Sequence, residues 1–194
     1  ALMNNAGIVS NQSIVEADVS TWSNLLSVNL TGMMLGCQTA IKVMQKNPEG
    51  SAGSIVNTAS VAGFQNRRGT NQGPYSMSKY AAVSLSEALE NELEGSNVGV
   101  SVLCPGPIDT NIARGARNRP DHMGGPQVRS NDEAVLAERL ATTGLDPKKV
   151  GERVVDAILS KTFYSFVGAV PADVIRARHR RIEDALNSPW VTHY

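Results

Sequence analysis

The sequence predicts a single α/β domain built on a parallel sheet, and two observations support this prediction. Short β-branched or apolar runs alternate with longer stretches of helical periodicity, in the repeated order strand, loop, helix. Repeats of this kind are typical of parallel strands joined by right-handed crossovers. With 194 residues, the chain is long enough for one domain with a sizeable core.

The composition favours a protein that acts on small molecules over one that binds nucleic acid or a membrane. The 18 basic and 18 acidic residues cancel, so no overall basic field attracts nucleic acid or an anionic membrane. No apolar run approaches the roughly 20 residues that span a bilayer, and the first seven residues lack the pattern of a signal peptide. We therefore expect a cytoplasmic protein that acts on small molecules. Cys37 and Cys104 are expected to be core thiols, and the three scattered histidines indicate no metal site.

The elements follow one another along the whole chain. Apolar strands are predicted at the start of the chain up to the Asn-Asn-Ala-Gly turn, at 54–60, at 98–104 and at 163–170. Helices are predicted at 18–46, 75–94, 133–141, from 147 onward and at 172–186. The 18–46 helix begins at an Asp18 or Ser20 cap and is apolar on more than one face. Asn29 lies among its apolar residues and must be hydrogen-bonded if it is buried.

Tyr75 and Lys79 form the most informative pair in the chain. They are four residues apart on a predicted helix that begins near Pro74, so they share one helix face. An ammonium one turn away favours the phenolate and lowers the pKa of a tyrosine, which makes Tyr75 a candidate general acid or base. Taken alone, this spacing more often means a half-buried tyrosine beside a solvated lysine.

Three strand ends carry residues suited to a ligand site. Asn5, Ala6 and Gly7 follow the first strand, Ser60 ends the second, and the turn at 105–110 follows the third. Each has a simpler interpretation: an Asn/Gly turn, a turn-capping serine or a rigid proline turn. Residues 111–145 form an insertion that is either a substrate lobe or an ordinary surface loop.

Five motifs together resemble the short-chain dehydrogenase/reductase family. They occur in the family's order and approximate spacing: Asn4-Asn5-Ala6-Gly7, Asn29 in Val-Asn-Leu, Gly53 to Ser60, Tyr75-Ser76-Met77-Ser78-Lys79, and Pro105 to Thr110. The resemblance is close over residues 1 to about 110 and extends to 194 only in β/α outline. It implies a single, partial Rossmann-like doubly wound domain over 1–194, with the 111–145 insertion as its substrate lobe.

The resemblance also implies an activity. The protein would interconvert an alcohol and a ketone or aldehyde by hydride transfer with NAD or NADP. Tyr75 would be the acid/base, Ser60 would hold the reacting oxygen, Lys79 would lower the pKa of Tyr75 and bind the nicotinamide ribose, and Asn29 would anchor a relay water. The family is also commonly dimeric or tetrameric, here through the helices at 18–46 and 75–94. The implied cofactor contacts are Asn5, Ala6, Gly7, Tyr75, Lys79, Pro105, Gly106, Ile108 and Thr110.

One family feature does not match. Members begin with a strand and a Gly-rich phosphate loop of the Thr-Gly-x-x-x-Gly-x-Gly kind, and these 194 residues contain no such loop and no Gly-x-Gly-x-x-Gly. We therefore expect an N-terminally incomplete domain, which lacks the first strands and binds dinucleotide poorly by itself. Micromolar binding of NADH or NADPH by this chain in a titration would contradict that expectation.

Two other functions are compatible with parts of the sequence. A dinucleotide-sensing or scaffold protein of the same fold would need no proton relay, since fold alone does not determine function. Ser76-Met77-Ser78-Lys79 also fits the Ser-x-x-Lys motif of penicillin-recognising hydrolases, although the companion motifs are missing. The arginines at 176, 178, 180 and 181 are interpreted as a solvated helix face.

Overall fold

The core is a sheet of four parallel strands in the order β1-β2-β3-β4. The computed structural model describes residues 1–48, 52–66, 69–126 and 131–192, without the side chains of 131 and 132. The strands are β1 (Leu2–Asn4), β2 (Gly53–Thr58), β3 (Val98–Pro105) and β4 (Tyr164–Val167). The helices are α1 (Val19–Leu26), α2 (Gly32–Met44), α3 (Gly73–Glu92), α4 (Asn131–Thr143), α5 (Pro147–Ser160) and α6 (Ala172–Leu186).

Both faces of the sheet are covered by helices, as the continuous apolar strands predict. Ile55 of β2 points into a core shared with α2, α3 and α6. Its neighbour Val56 points to the other face and packs with Leu103 and with Val154 of α5. Cys37 and Cys104 are free thiols buried in the first of these cores, which confirms the prediction made for them.

The predicted helix at 18–46 is interrupted. Ser27–Thr31 form one π-helical turn between α1 and α2, and such turns often mark functional sites. Asp18 caps α1 by accepting a hydrogen bond from the Thr21 backbone at 2.6 Å. Beside this helix, α3 starts two residues before its predicted first residue and ends two before the predicted last one.

The insertion between β3 and α5 is mostly short helical turns. Asn111–Asn118 and Asp121–Met123 are 3₁₀ segments, and α4 follows them. Residues 127–130 of this predicted lobe lie outside the described part of the chain. Asp146 caps α5 through the Lys148 backbone, and α6 has the bounds that the sequence predicts. Among the helices of the described residues, none has the length and apolar character needed to cross a bilayer.

Candidate active site

A cleft of about 2200 Å³ opens at the carboxyl ends of the strands. Its floor is formed by the residues that follow β1, β2 and β3, and its walls by α3, the lobe and α6. Every predicted site residue except Asn29 lines it: Asn5, Ala6, Gly7, Ser60, Tyr75, Lys79, Pro105, Gly106, Ile108 and Thr110. The fold therefore brings residues more than 100 positions apart in sequence to one surface.

Ser60 and Tyr75 meet at the centre of this cleft. Ser60 follows β2 and begins a short 3₁₀ turn, Val61–Gly63, where its Oγ accepts a hydrogen bond from the Ala62 backbone at 3.2 Å. The Ser60 hydroxyl donates a hydrogen bond to the Pro105 carbonyl at 3.4 Å, and its proximity to the Tyr75 phenol acts to lower the pKa of that phenol. Ser60 thus caps a turn and places its hydroxyl near Tyr75 at the same time, so the two interpretations of this residue are compatible.

Gly63 allows Ser60 and Tyr75 to lie close together. A Cβ on Gly63 would lie 2.8 Å from the Lys79 carbonyl oxygen and 2.8 Å from Val83 Cγ2, closer than real Cβ contacts. Only a glycine lets the turn after Ser60 pack directly on the α3 backbone. The spacing between Ser60 and Tyr75 therefore depends on a residue that touches no ligand.

Lys79 lies beneath Tyr75 with its ammonium buried. The side chain is only 3% exposed, and Nζ donates a hydrogen bond to the Thr58 carbonyl at 2.9 Å. Burial lowers the pKa of Lys79 to about 8. Nζ lies 5.8 Å from the centre of the Tyr75 ring.

The predicted effect of Lys79 on Tyr75 is not what this structure shows. The pKa of Tyr75 is raised, because desolvation of the phenol outweighs the lowering by the nearby Ser60 hydroxyl. The predicted lowering is therefore wrong here: Nζ is directed to the Thr58 carbonyl rather than to the phenol oxygen. Tyr75 retains its proton at neutral pH.

Asn29 lies behind the cleft, in the π-helical turn, and is completely buried. Its Oδ1 accepts a hydrogen bond from the Ile8 backbone N–H at 2.8 Å, and its Nδ2 donates to the Ile8 carbonyl and to Ser78 Oγ, both at 2.9 Å. Ser78 Oγ donates to the Tyr75 carbonyl at 2.7 Å. Asn29 therefore ties the loop after β1 to α3, and its predicted role as a water anchor stays a prediction.

The turn after β3 is held against the end of β4. The Gly106 N–H donates to the Val167 carbonyl at 2.9 Å, and a Cβ on Gly106 would collide with the Ala169 carbonyl oxygen. Ile108 forms an isolated parallel bridge with Leu145. These contacts fix Ile108 and Thr110 at the rim of the cleft.

Two features of the site were not predicted from the sequence: the α6 arginines that line the cleft and the Thr58 carbonyl that binds Lys79. The interpretation of the α6 arginines as a solvated face is wrong for Arg178, which is half-buried against the cleft; Arg181 is exposed but lies at the cleft edge, and Arg176 is exposed and pairs with Asp173 at 3.4 Å. The signal was present in the i, i+3 spacing of Arg178 and Arg181 among apolar residues. The carbonyl of Thr58, which holds Lys79, has no sequence signal because every residue carries a carbonyl.

The Ser-x-x-Lys alternative gains no support from this geometry. Ser76 is 3% exposed, and the Lys79 ammonium hydrogen-bonds the Thr58 carbonyl. A nucleophilic serine needs a base within hydrogen-bond reach, and no such contact is described between these two side chains.

The comparisons with known proteins agree with the geometry. The family model described as short chain dehydrogenase matches residues 1–121. The chain belongs to the short-chain dehydrogenase/reductase family. The four-stranded parallel sheet with helices on both faces is the Rossmann-like fold of that family.

Relatives within the short-chain dehydrogenase/reductase family include two proteins named as dehydrogenases. A Cα-dehydrogenase of Sphingobium sp. is 31% identical over 164 residues, which cover 84% of this chain and 52% of the relative. A 3β-hydroxysteroid dehydrogenase of Eggerthella lenta is 36% identical over 124 residues, which cover 63% of this chain and 46% of the relative. The chain thus spans about half the length of these relatives.

A solved member of the family has a closely similar backbone. The crystal structure of a short-chain dehydrogenase/reductase from Burkholderia phymatum in complex with NAD superimposes with a TM-score of 0.85 at 30% identity. The match covers 100% of this chain and 69% of the other. The fold of all the described elements is therefore shared with that protein.

Proposed function

We propose that the protein is a NAD(P)-dependent oxidoreductase that interconverts an alcohol and a ketone or aldehyde. The observation that carries this proposal is the convergence of the Ser60 hydroxyl, the Tyr75 phenol and the buried Lys79 ammonium in one large cleft. The names of the two relatives, both dehydrogenases, and the NAD complex of the solved structure support it.

The residues of the cleft fit the nicotinamide half of such a cofactor. An ammonium has three N–H donors, and the buried Lys79 ammonium has one hydrogen-bond partner, the Thr58 carbonyl, among the described residues. Ribose hydroxyls would satisfy the remaining donors. The backbone of Gly7 lies next to Lys79 and Asn29, since a Cβ there would be 3.6 Å from Nζ and 3.5 Å from Oδ1. Without a side chain, Gly7 leaves this wall open to a ligand.

Tyr75 and Ser60 would then have different roles at the substrate oxygen. A bound nicotinamide supplies the hydride donor or acceptor. The Tyr75 phenol donates its proton to the carbonyl oxygen, and the Ser60 hydroxyl donates a hydrogen bond to the same oxygen and positions it. Because the pKa of Tyr75 is raised, the phenol carries at neutral pH the proton that it would donate to a carbonyl oxygen.

Asn29 acts in this proposal as a positioning residue. Its amide joins the backbone of Ile8, one residue beyond the predicted cofactor contact Gly7, to Ser78 on the helix that carries Tyr75 and Lys79. The buried Asn29 side chain thus keeps the loop at Gly7 and Ile8 at a fixed distance from the helix that carries Tyr75.

The function is tested on the full-length protein, of which we expect this chain to be a part. The protein is incubated with NADH or NADPH and a panel of ketones and aldehydes, and the nicotinamide absorbance is followed. We expect a carbonyl-dependent loss of the reduced cofactor. Cofactor binding without turnover of any carbonyl or alcohol in the panel would favour the sensing or scaffold alternative instead.

We also propose that the full-length protein is a homodimer or homotetramer assembled through α1–α2 and α3. Apolar side chains of α2 are left exposed in this chain, with Leu35 at 53% and Val43 at 62%, which is typical of a face that a partner covers. Light scattering should give two or four times the monomer mass. A monomer at micromolar concentration would contradict this assembly.

A further inference from the structure

The walls of the cleft carry charge of one sign. The chain as a whole is neutral, with 18 basic and 18 acidic residues. The described residues that line the cleft nevertheless include no aspartate or glutamate. They include six cations: Lys79, Arg114, Arg117, Arg139, Arg178 and Arg181. Low-dielectric walls with charge of one sign concentrate ligands of the opposite sign.

The arginines occupy two ends of the cleft. Arg114 and Arg117 belong to the 3₁₀ segment that contacts the loop after β1, since a Cβ on Gly115 would lie 3.2 Å from Ile8 Cγ2. Arg178 and Arg181 belong to α6, which follows β4 at the opposite edge of the sheet. The residues expected on the adenosine side of the cofactor follow β1, so the α6 pair faces the end of the cleft away from them.

Arg178 is oriented by its surroundings. Its guanidinium lies over the Tyr80 ring, 5.2 Å from the centroid, and Tyr80 directly follows Lys79 on α3. The arginine is half-buried, and α6 is anchored beneath it by the buried Ile175. Stacking on an aromatic ring leaves the guanidinium edge, with its N–H donors, available to a planar anion.

The other two arginines of α6 lie on a different face of the helix. Arg176 is ion-paired with Asp173, and Arg180 is exposed. Neither lines the cleft, whereas Arg178 and Arg181 are three residues apart on the face that does. Arg178 is half-buried on that face, and Arg181 is exposed at its edge.

We propose that Arg178 and Arg181 bind a carboxylate on the substrate, so that the protein acts on hydroxy or oxo carboxylic acids. The inference rests on the proposed function, because it takes the reacting carbonyl or alcohol to be the group held by Ser60 and Tyr75. Arg178 provides the bidentate site for the carboxylate, and Arg181 adds a second positive charge at the cleft mouth.

Binding measurements test this without requiring turnover. Calorimetric titrations of the full-length protein use two acids, 4-acetylbenzoate and 4-oxopentanoate, each compared with its neutral amide. The Arg178→Gln/Arg181→Gln double variant is compared with the matched Arg176→Gln/Arg180→Gln double variant on the same helix. We expect both acids to bind wild type more tightly than their amides. We expect the first double variant to lose roughly tenfold or more in acid affinity, the loss typical of one charged hydrogen bond, and the matched variant to bind as wild type.

Three results would overturn the proposal. The first is equal binding of acid and amide by wild type. The second is an equal loss of acid affinity in the two double variants. The third is a loss of NADH and NADPH affinity in the first variant with acid binding unchanged, which would assign the anion site to cofactor phosphate.

Failure of the proposed function has a different signature. In that case no probe is turned over, while the charge-dependent binding and its loss in the Arg178→Gln/Arg181→Gln variant persist. Turnover that is indifferent to the carboxylate would instead leave the oxidoreductase function standing and refute the anion site.

Discussion

The Lys79 ammonium is buried 5.8 Å from the centre of the Tyr75 ring and donates a hydrogen bond to the Thr58 carbonyl. Its position on the Tyr75 face of the helix follows from the four-residue spacing and was predictable. The hydrogen bond from Lys79 to the Thr58 carbonyl could not be predicted, because that acceptor is a backbone atom whose position depends on the end of β2. The raised pKa of Tyr75 could not be predicted from the sequence either, since desolvation depends on which residues cover the phenol in the folded protein.

The pH dependence of carbonyl reduction should reflect Lys79. Its pKa is lowered to about 8, so the ammonium is present below that pH and is lost above it. We expect kcat/KM for reduction to be flat through neutral pH and to fall about tenfold per pH unit above the break. Tyr75 adds no break in this range, because its pKa is raised above the ordinary value.

Lys79→Arg provides the control for this profile. A guanidinium remains protonated at every pH used for assay, so any residual activity of the variant should show no break near 8. An unchanged break in Lys79→Arg would mean that another group titrates there.

At the scale of elements, periodicity identified the strands, α3 and α6 but not the interruption at Ser27–Thr31. A π-helical turn adds a residue and changes the helical periodicity from that point onward, and the apolar residues on both sides of it hide that change. The buried amide at Asn29 was the available signal, since a polar group among apolar neighbours must find partners. Those partners lie on the loop after β1 and on α3, far from Asn29 in sequence.

Asn29→Ala should loosen the junction of these three elements. The change leaves the Ile8 N–H and carbonyl without their partner, and each unsatisfied group costs about 1–3 kcal/mol. We expect the free energy of unfolding, measured with denaturant, to fall by about 2–4 kcal/mol. Cofactor affinity should fall as well, because Ile8 adjoins Gly7 in the cleft wall.

Asn24→Ala is the matched control. Asn24 is in α1, and its side chain makes no hydrogen bond in the described part of the chain. The expected change is within about 0.5 kcal/mol. Equal effects of the two substitutions would refute the proposed role of Asn29.

At the scale of the whole molecule, the site depends on segments that return to the cleft from distant parts of the chain. Repeated β/α order predicted the parallel sheet and hence the meeting of the three strand ends. The spacing of Arg178 and Arg181 marks a common face of α6, but no local pattern predicts that this face closes one wall of the cleft or that the lobe docks on α1. Arg119 makes that second contact: it is 7% exposed and donates to the Met123 carbonyl and to Ser20 Oγ.

Arg119→Met should release the lobe from the start of α1. Removing these charged hydrogen bonds is expected to cost about 1–3 kcal/mol, with faster proteolysis within 111–126. The KM for the carbonyl substrate should rise, while kcat changes little, because the proton-transfer residues lie on other elements. Arg180→Met, on the exposed side of α6, is the control. Unchanged proteolysis in Arg119→Met would show that the lobe is held by other contacts.

We propose that the Tyr75 hydroxyl transfers the proton. The most direct test of this proposal is the single-turnover rate of Tyr75→Phe in the full-length protein, with Tyr164→Phe, outside the cleft, as the control. We predict a fall of about 100- to 10,000-fold for Tyr75→Phe, the range typical of a lost acid/base group, with the melting temperature retained. A Tyr75→Phe variant that reduces its substrate at the wild-type rate would contradict the account.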